Sequence, residues 1–307
     1  MAHTPVSPRI GIDLGGTKVE IIALDANGVA LMRRRMPTPS GDYGATLDLV
    51  ARLVNEAERE IGRHASIGIG TPGALSPATG RLRNSNSTCL NDRPLKEDLE
   101  RRLGRRIAMA NDANCFLLSE MTGGAAEGAH IAFGVILGTG VGGAIAVNGN
   151  VLGGANAIAG EWGHNPLPWP RDEERPGPPC YCGRHGCIET WLSGPGLARD
   201  HEQHGGARDT ADALARRALH GERSASETMD RYAARLARAL ATVVNVIDPD
   251  VIVLGGGLSN IDMLYGAVPE LWVQWIFSDS VRTRLVRNRH GDSSGVLGAA
   301  ILGGTST

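Results

Sequence analysis

The stretch Arg9-Ile10-Gly11-Ile12-Asp13-Leu14-Gly15-Gly16-Thr17-Lys18 lies near the N-terminus and contains the features that decide the fold. Its first five residues predict a strand, and the apolar runs Val19–Leu24 and Val29–Arg34 predict the next two. The glycine turn Leu14–Lys18 joins the first pair of strands, and the turn Asp25–Gly28 joins the second pair. An α/β protein that begins with strands around a glycine turn is therefore expected.

This glycine turn has the chemistry of a phosphate site. Without a Cβ, the backbone N–H groups of Gly15 and Gly16 can face phosphate oxygens, and Thr17 adds a hydroxyl donor. The carboxylate of Asp13, at the end of the strand, is suited to a hydrated Mg²⁺. The turn is not a P-loop, because the order G-x-x-x-x-G-K-[ST] is absent and a strand follows where a P-loop has a helix. A tight hairpin that binds nothing is the alternative for this turn taken alone.

Two more glycine turns follow apolar runs of the same kind. Gly138–Gly142 joins the predicted strands Ile131–Leu137 and Gly143–Asn148, and Gly255–Gly257 follows the predicted strand Val251–Leu254. Each of them alone is explained by a simple turn. Three glycine turns in one chain, each at the end of a strand, favour a nucleotide bound between two lobes.

The rest of the chain alternates between extended and helical patterns, which predicts an α/β fold. Further strands are expected at Ser66–Gly70 and Ile107–Ala110, and helices at Thr46–Ile61, Leu95–Leu103, Ala113–Thr122, Thr210–His220, Ala225–Ile247 and Gly295–Leu302. No Pro- or Ser-rich linker separates two independent domains. Two lobes that share strands or a hinge are therefore expected, with residues 1–117 and 290–307 in the small lobe and 118–289 in the large one.

The pair Asn111-Asp112 stands where a predicted strand leads into a helix. A carboxylate at this junction can be held by the helix N-terminus and directed at a ligand. Asp112 could then accept a proton from a hydroxyl group as its oxygen attacks phosphorus. A simple N-cap is the alternative for an isolated Asp in this position.

One histidine and three cysteines form a candidate metal site. His164 is followed by the spacing C-x-C-x4-C at Cys180, Cys182 and Cys187. A Cys₃His set provides all four ligands of a tetrahedral zinc ion and leaves no open position, so the predicted metal is structural. Reduced cysteines in a loop are the alternative. Zinc would also fix the neighbouring Glu161 and Glu189, so that both carboxylates face one bound substrate.

Composition excludes several classes of protein. The formal net charge of −2 gives no basic surface for nucleic acid or an anionic membrane. The N-terminal residues lack an apolar signal-peptide core, and the most apolar stretch, Ile131–Val147, is short and interrupted by glycines. A cytoplasmic protein with no nucleic-acid or membrane partner is expected.

From Ile10 to Leu302 the chain resembles the ROK family of sugar kinases. The motifs D-x-G-G-T-K, N-D, E-x-G-H and C-x-C-G-x-x-G-C-x-E stand in the family order. The resemblance implies an actin-like ATPase fold (hexokinase-type, ribonuclease H-like), with two α/β lobes around a cleft where Mg²⁺-ATP and a sugar meet. A homodimer is also expected.

The resemblance further implies a role for each matching residue, with Asp112 as the catalytic base. ATP and its phosphates are assigned to Gly11, Asp13, Gly15, Gly16, Thr17, Lys18, Thr139, Gly140, Gly142, Gly255, Gly256 and Gly257. The sugar is assigned to Gly73, Asn86, Asn111, Asp112, Glu161, His164 and Glu189. His164 would bind zinc through one ring nitrogen and orient toward the sugar through the other.

Three stretches, Asn84–Thr88, Gly160–Trp169 and His290–Gly295, resemble the fructokinase and mannokinase branch of the family most closely. A fructokinase that makes D-fructose 6-phosphate is therefore expected, with mannose and glucose as poorer acceptors. N-acetylglucosamine should be poorer still, because its acetamide needs an apolar niche. An N-acetylglucosamine kinase or a glucokinase of the same family is the alternative.

The family also contains repressors, which carry a helix-turn-helix extension ahead of the first motif. Here only Met1–Arg9 precede that motif, so catalysis is expected over DNA binding. A sugar sensor without catalytic activity is disfavoured because Asp112 is present.

Overall fold

Strands and helices alternate through most of the chain in the computed structural model, which describes residues 7–305. The strands are β1 (Arg9–Leu14), β2 (Lys18–Leu24), β3 (Ala30–Pro37), β4 (Ser66–Thr71), β5 (Ala74–Leu75), β6 (Leu82–Arg83), β7 (Ala108–Asn111), β8 (Ile131–Leu137), β9 (Val141–Val147), β10 (Asn150–Val151), β11 (Val251–Gly255) and β12 (Arg284–Arg287). The helices are α1 (Tyr43–Ile61), α2 (Leu95–Leu103), α3 (Asp112–Met121), α4 (Ile188–Leu192), α5 (Gly194–Gln203), α6 (Ala211–Leu219), α7 (Arg223–Ile247), α8 (Leu264–Trp272) and α9 (Ser294–Thr305).

The described residues divide into two compact units. Unit 1 contains residues 7–124, 150–159 and 292–305, and unit 2 contains residues 125–149 and 160–291. The lobe limits expected at 117 and 290 stay a prediction. Within residues 7–305, no helix is both long enough and apolar enough to cross a membrane.

Unit 1 is built on a five-stranded sheet in the order β3-β2-β1-β4-β7. Strand β1 pairs antiparallel with β2 and parallel with β4, which pairs parallel with β7. The carboxyl ends of β1, β4 and β7 therefore lie at one edge of the sheet, where ligands of α/β proteins bind. At this edge Asp13 is opposite Gly70, and Asn111 is opposite Thr71.

Strand β3 continues to Pro37, beyond the predicted end at Arg34. Its second half is rich in arginine and lacks the apolar alternation that predicts a strand. An ion pair across the sheet stabilises this half. Glu20 on β2 is only 1% exposed and accepts a hydrogen bond at 2.9 Å from Arg35 Nε. A buried carboxylate paired in this way explains why an arginine-rich run remains a strand.

Helix α9 lies against the sheet of unit 1 at very close range. A Cβ on Gly11 or Gly68 would overlap the backbone of α9, and a Cβ on Gly298 of that helix would overlap the carbonyl of Cys115. Gly11, which sequence reasoning assigned to the phosphate site, therefore lies buried in this core rather than in the turn. Its lack of a side chain admits the helix.

Unit 2 contains the strands β9, β8, β11 and β12 in that order, with β9 antiparallel to β8 and the others parallel. The long helix α7 buries Ala233, Ala237 and Ala241, which recur every four residues and so share one face. Small side chains on this face allow close packing of the helix in the largest apolar cluster of the unit.

Candidate active site

The first glycine turn of unit 1 is a tight hairpin turn held by a neighbouring residue. Gly15 N donates to Lys18 O at 3.0 Å, which closes the turn. Thr38 holds it from outside, since its N–H donates to Thr17 O at 3.1 Å and its hydroxyl donates to Gly15 O at 2.7 Å. Gly16 and Thr17 at the tip are exposed, so a phosphate can reach them. Sequence reasoning missed Thr38, which has no motif of its own.

Asp13 occupies the end of β1, next to the start of α9. A Cβ on Gly295 would lie 3.0 Å from Asp13 Oδ2, so glycine at this position leaves room for the carboxylate. Burial, followed by the negative charges of Asp112 and Glu20, raises the pKa of Asp13 to about 6. A buried carboxylate beside two others is stabilised by a cation, which suits the predicted contact with hydrated Mg²⁺.

Asp112 is the first residue of α3, and the structure separates its role from that of Asn111. Asn111 is the N-cap, and its side chain accepts a hydrogen bond from Ala113 N at 2.8 Å. Asp112 Oδ1 also accepts from Ala113 N at 2.8 Å. Since Asn111 caps the helix, a capping role alone does not account for Asp112. Burial raises the pKa of Asp112, which strengthens the carboxylate as a proton acceptor.

The predicted sugar-binding loops of unit 1 lie next to these groups. Asn111 Nδ2 donates to Gly73 O at 3.1 Å, and Gly73 has φ +87°, a conformation that favours glycine. A Cβ on Gly16 would lie 3.0 Å from Ser87 Oγ and 3.5 Å from Asn86 Oδ1. The exposed side chain of Asn86 is therefore beside the first glycine turn, and the glycine at position 16 permits this approach.

In unit 2, the second glycine turn is bonded to one of the predicted sugar ligands. Glu189, in the first turn of α4, accepts a hydrogen bond from Val141 N at 3.0 Å through Oε2. A Cβ on Gly140 would lie 2.7 Å from the same oxygen. The structure thus brings the Thr139-Gly140 turn and Glu189 together, although Val141 and Glu189 are 48 positions apart in the sequence.

This second turn is tighter than the sequence predicts. Strand β9 begins at Val141, so Gly142, which was assigned to a phosphate contact, lies within the strand opposite Ile136. The carbonyl of Gly142 accepts a hydrogen bond from Trp162 Nε1 at 3.1 Å. Trp162 is buried and stands between Glu161 and His164 in the sequence. Gly142 therefore anchors the segment that carries these two residues.

The third glycine turn leads into a short helix whose last residue, Asn260, lines a cavity in unit 2. Gly255 ends β11, Gly256 has φ +79°, and Gly257 begins a short 3₁₀ helix that ends at Asn260. The cavity has a volume of about 480 Å³ and is lined by Asp212, Ala215, Arg216, Ala218, Leu219, Ser226, Met229, Asp230, Asn260, Ile261, Asp262 and Met263. This volume lies within the range of about 300–1,000 Å³ that is typical of small-molecule sites.

The four predicted metal ligands converge. The ligand atoms of His164, Cys180, Cys182 and Cys187 all lie within 4.8 Å of one another. The Cys182 and Cys187 sulfurs are 3.6 Å apart, and His164 Nδ1 is 3.6 Å from the Cys180 sulfur. A tetrahedral zinc with Zn–S bonds of about 2.3 Å places two sulfurs about 3.8 Å apart. The donor types and their separations therefore fit zinc.

The second ring nitrogen of His164 was expected to face the sugar, but its partner here is Tyr181. His164 Nε2 and the Tyr181 hydroxyl are 2.9 Å apart, and the two rings meet edge to face at 5.0 Å. Sequence reasoning gave Tyr181 no role, and its position between two cysteine ligands was the available signal. Glu161, which precedes His164 in the same segment, is exposed.

A buried ionic network holds the segment between His164 and the cysteines. Glu174 is 5% exposed and accepts hydrogen bonds from Arg235 Nε at 2.8 Å and Arg238 Nη2 at 2.7 Å. Burial opposes ionisation of Glu174, but the hydrogen bonds from Arg238 and Arg235 outweigh it and lower the pKa to about 2. Arg235 also lies over the ring of Trp191 at 4.5 Å. Helix α7 thus anchors both this segment and α4, which carries Glu189.

The fold and these residues define a sugar kinase with an actin-like ATPase fold. Residues 9–305 match the model of the ROK family. The chain belongs to the ROK family.

The comparisons with individual proteins agree with this assignment. The N-acetyl-D-glucosamine kinase of Pectobacterium atrosepticum is 38% identical over 296 residues, which cover 95% of this chain and 97% of that protein. The ROK hexokinase of Thermus thermophilus has 32% identity and a TM-score of 0.84, covering 96% and 97% of the two chains. A ROK family glucokinase from Streptomyces griseus, solved with glucose and AMPPNP, has 25% identity and a TM-score of 0.76, covering 96% and 98%.

These relatives do not support the predicted preference for fructose. The similar curated proteins are N-acetyl-D-glucosamine kinases at 36–38% identity, and they favour the alternative from the sequence. The prediction rested on the resemblance of three stretches to the fructokinase and mannokinase branch. The acceptors differ at C2, and recognition there depends on a few side-chain contacts that such stretches do not define.

Proposed function

We propose that this enzyme transfers the γ-phosphoryl group of ATP to the 6-hydroxyl of N-acetyl-D-glucosamine. The phosphoryl-transfer chemistry rests on one observation, the half-buried Asp112 carboxylate near Asp13 at the carboxyl edge of the unit 1 sheet. The choice of sugar rests on the 38% identity to an N-acetyl-D-glucosamine kinase over 95% of the chain.

In this mechanism Asp112 accepts the proton of the sugar hydroxyl. The hydroxyl oxygen forms a bond to the γ-phosphorus while the bond from phosphorus to the β,γ-bridging oxygen breaks, and ADP leaves. The raised pKa of Asp112 makes it a better acceptor than an exposed aspartate. Asn111 holds the start of α3 in place, since its side chain bonds both Ala113 N and Gly73 O.

ATP is assigned to the three glycine turns. The Gly15–Lys18 turn binds one part of the phosphate chain, with Mg²⁺ near Asp13, and Thr139-Gly140 binds another. Mg²⁺ would neutralise charge on the phosphates as it does in other kinases. The nucleoside is assigned to Gly255–Gly257 and to the cavity of about 480 Å³ that Asn260, at the end of the following 3₁₀ helix, helps to line.

The sugar is assigned to the polar groups of the family motifs. These are Gly73, Asn86, Asn111, Asp112, Glu161, His164 and Glu189. The carboxylates can each accept hydrogen bonds from ring hydroxyls. A site that pairs each hydroxyl rejects analogues that leave one of its polar groups unpaired.

Zinc is proposed as a structural metal at His164, Cys180, Cys182 and Cys187. When bound, it would cross-link the His164 segment to the cysteine loop. Glu161 and Glu189 each lie close in sequence to one of these ligands, so the metal would fix both carboxylates. All four coordination positions are filled by protein, so no chemical step is assigned to zinc.

A comparison of sugars tests the proposed acceptor. The expected order of kcat/KM has N-acetylglucosamine first, with fructose, mannose and glucose at least about 10-fold lower, because each lacks the acetamide. An assay that couples ADP formation to NADH oxidation, at fixed Mg²⁺-ATP, measures all four. A clear preference for fructose would contradict the proposed acceptor and restore the expectation from the sequence.

Removal of the Asp13 charge should stabilise the protein while it lowers activity. The raised pKa means that the folded state binds the Asp13 proton more tightly than the unfolded state does. The protonated carboxyl therefore stabilises the fold below about pH 4, and this contribution is lost as pH rises through about 6. We expect Asp13→Asn to raise the free energy of unfolding by about 1–3 kcal/mol at pH 7.5 and by little at pH 4.

Urea unfolding at both pH values measures this effect. Asp48→Asn is the matched control, because Asp48 is exposed and lies in the same unit. Equal stability changes of Asp13→Asn at the two pH values would show that the charge on Asp13 is not the cause.

A further inference from the structure

We propose that Tyr181 recognises the substituent at C2 of the sugar, and that its ring packs against the methyl group of the acetamide. The inference rests on the proposed function, and it assigns a specificity-determining role to a residue that no motif requires. It accounts for the apolar niche that an acetamide needs and that the sequence did not reveal.

The backbone around Tyr181 is held in a tight turn. Gly183 N donates to Cys180 O at 3.0 Å, and Cys180 N donates to Arg184 O at 2.8 Å. Both sequence neighbours of Tyr181 belong to the converging Cys₃His cluster. The side chain therefore extends from a fixed point rather than from a mobile loop.

The Tyr181 side chain combines a fixed hydroxyl with an exposed ring. The residue is 74% exposed, yet its hydroxyl is 2.9 Å from His164 Nε2 and its ring meets the imidazole edge to face. An aromatic ring held in this way presents an apolar face at little conformational cost. Such a face, beside groups that bind hydroxyls, matches the mixed polar and apolar surface of an N-acetylated sugar.

The cluster that holds Tyr181 lies close to two proposed sugar ligands. Glu161 stands three residues before His164, and Glu189 stands two residues after Cys187; both carboxylates are assigned to the sugar. If His164 Nδ1 faces the cysteines, then Nε2 carries the proton and donates it to the Tyr181 oxygen. The Tyr181 hydroxyl proton is then directed away from His164, so that it can be donated to a carboxylate or to the sugar.

Two substitutions, each assayed with two sugars, test the inference. Tyr181→Ala removes the ring, and we expect kcat/KM for N-acetylglucosamine to fall about 5- to 50-fold, as for the loss of a small apolar contact. The value for glucose, which has no acetamide, should change less than about 3-fold. Tyr181→Phe keeps the ring and should keep most of the preference for N-acetylglucosamine. KM for ATP and zinc content should match the unaltered protein in both variants.

The other outcomes separate the inference from the proposed function. Equal losses for both sugars with Tyr181→Ala, or loss of zinc from either variant, would overturn the role of Tyr181 in selectivity and leave the proposed acceptor standing. Failure of the unaltered enzyme to phosphorylate N-acetylglucosamine would overturn the proposed function and, with it, this inference.

Discussion

Asp112→Asn is expected to lower kcat by about 10²–10⁴-fold, because the variant lacks the group that accepts the hydroxyl proton. The substitution keeps the shape of the side chain, and Asn111 still caps α3. The variant should therefore remain folded and bind ATP nearly as tightly as the unaltered enzyme. Because the pKa of the Asp112 carboxyl is raised in the folded state, removal of its charge should not destabilise the fold.

Steady-state kinetics and ATP titration by calorimetry measure these two properties. The matched control is Asp98→Asn, since Asp98 lies in the first turn of α2 in the same unit and bonds the Tyr43 hydroxyl rather than a proposed substrate. If Asp112→Asn keeps more than about a tenth of the original kcat, Asp112 is not the base.

The second large effect is expected when a metal ligand is removed. Purified protein should contain about one zinc per chain, and Cys182→Ala should lose it. The sulfur of Cys182 is 3.6 Å from that of Cys187, so its loss leaves three ligands and releases the loop. Misplacement of binding groups by about 1 Å can lower the reaction rate by about 10²-fold. We therefore expect kcat/KM for the sugar to fall on the order of 100-fold.

A separate measurement tests whether the loss of zinc affects the sugar site and not the ATP site. ATP affinity should be largely retained in Cys182→Ala, because none of the metal ligands is in a proposed phosphate turn. Cys89→Ala is the matched control, since Cys89 is a free cysteine of unit 1 outside the cluster. Elemental analysis that finds no zinc in fully active protein would contradict the structural role.

Sequence by itself determined the features that depend on residues close together in the chain. The first hairpin, the strand β8 and the helix α2 follow from apolar periodicity and from the glycines between the runs. The short helix α4 and the proline-containing helix α8 were not predicted. A helix of five residues has too little pattern to detect, and Pro269 interrupts the other.

The candidate site was predictable as a set of motifs, because each glycine turn and the cysteine spacing are local. Its arrangement was not. The contact between Glu189 and Val141 joins residues 48 positions apart, and the support of the first turn by Thr38 spans 23 positions. The cavity in unit 2 is formed by residues from α6, α7 and the segment Asn260–Met263.

Tertiary structure also decided the roles of particular side chains. Gly11 and Gly142 looked like phosphate-site glycines in the sequence, but packing places one under α9 and the other inside β9. Asp112 could have been a helix cap until Asn111 proved to be the cap. Tyr181 had no role until its hydroxyl was found beside His164. Local sequence determines which chemical groups are available, whereas their partners depend on contacts between distant segments, which form only when the chain folds.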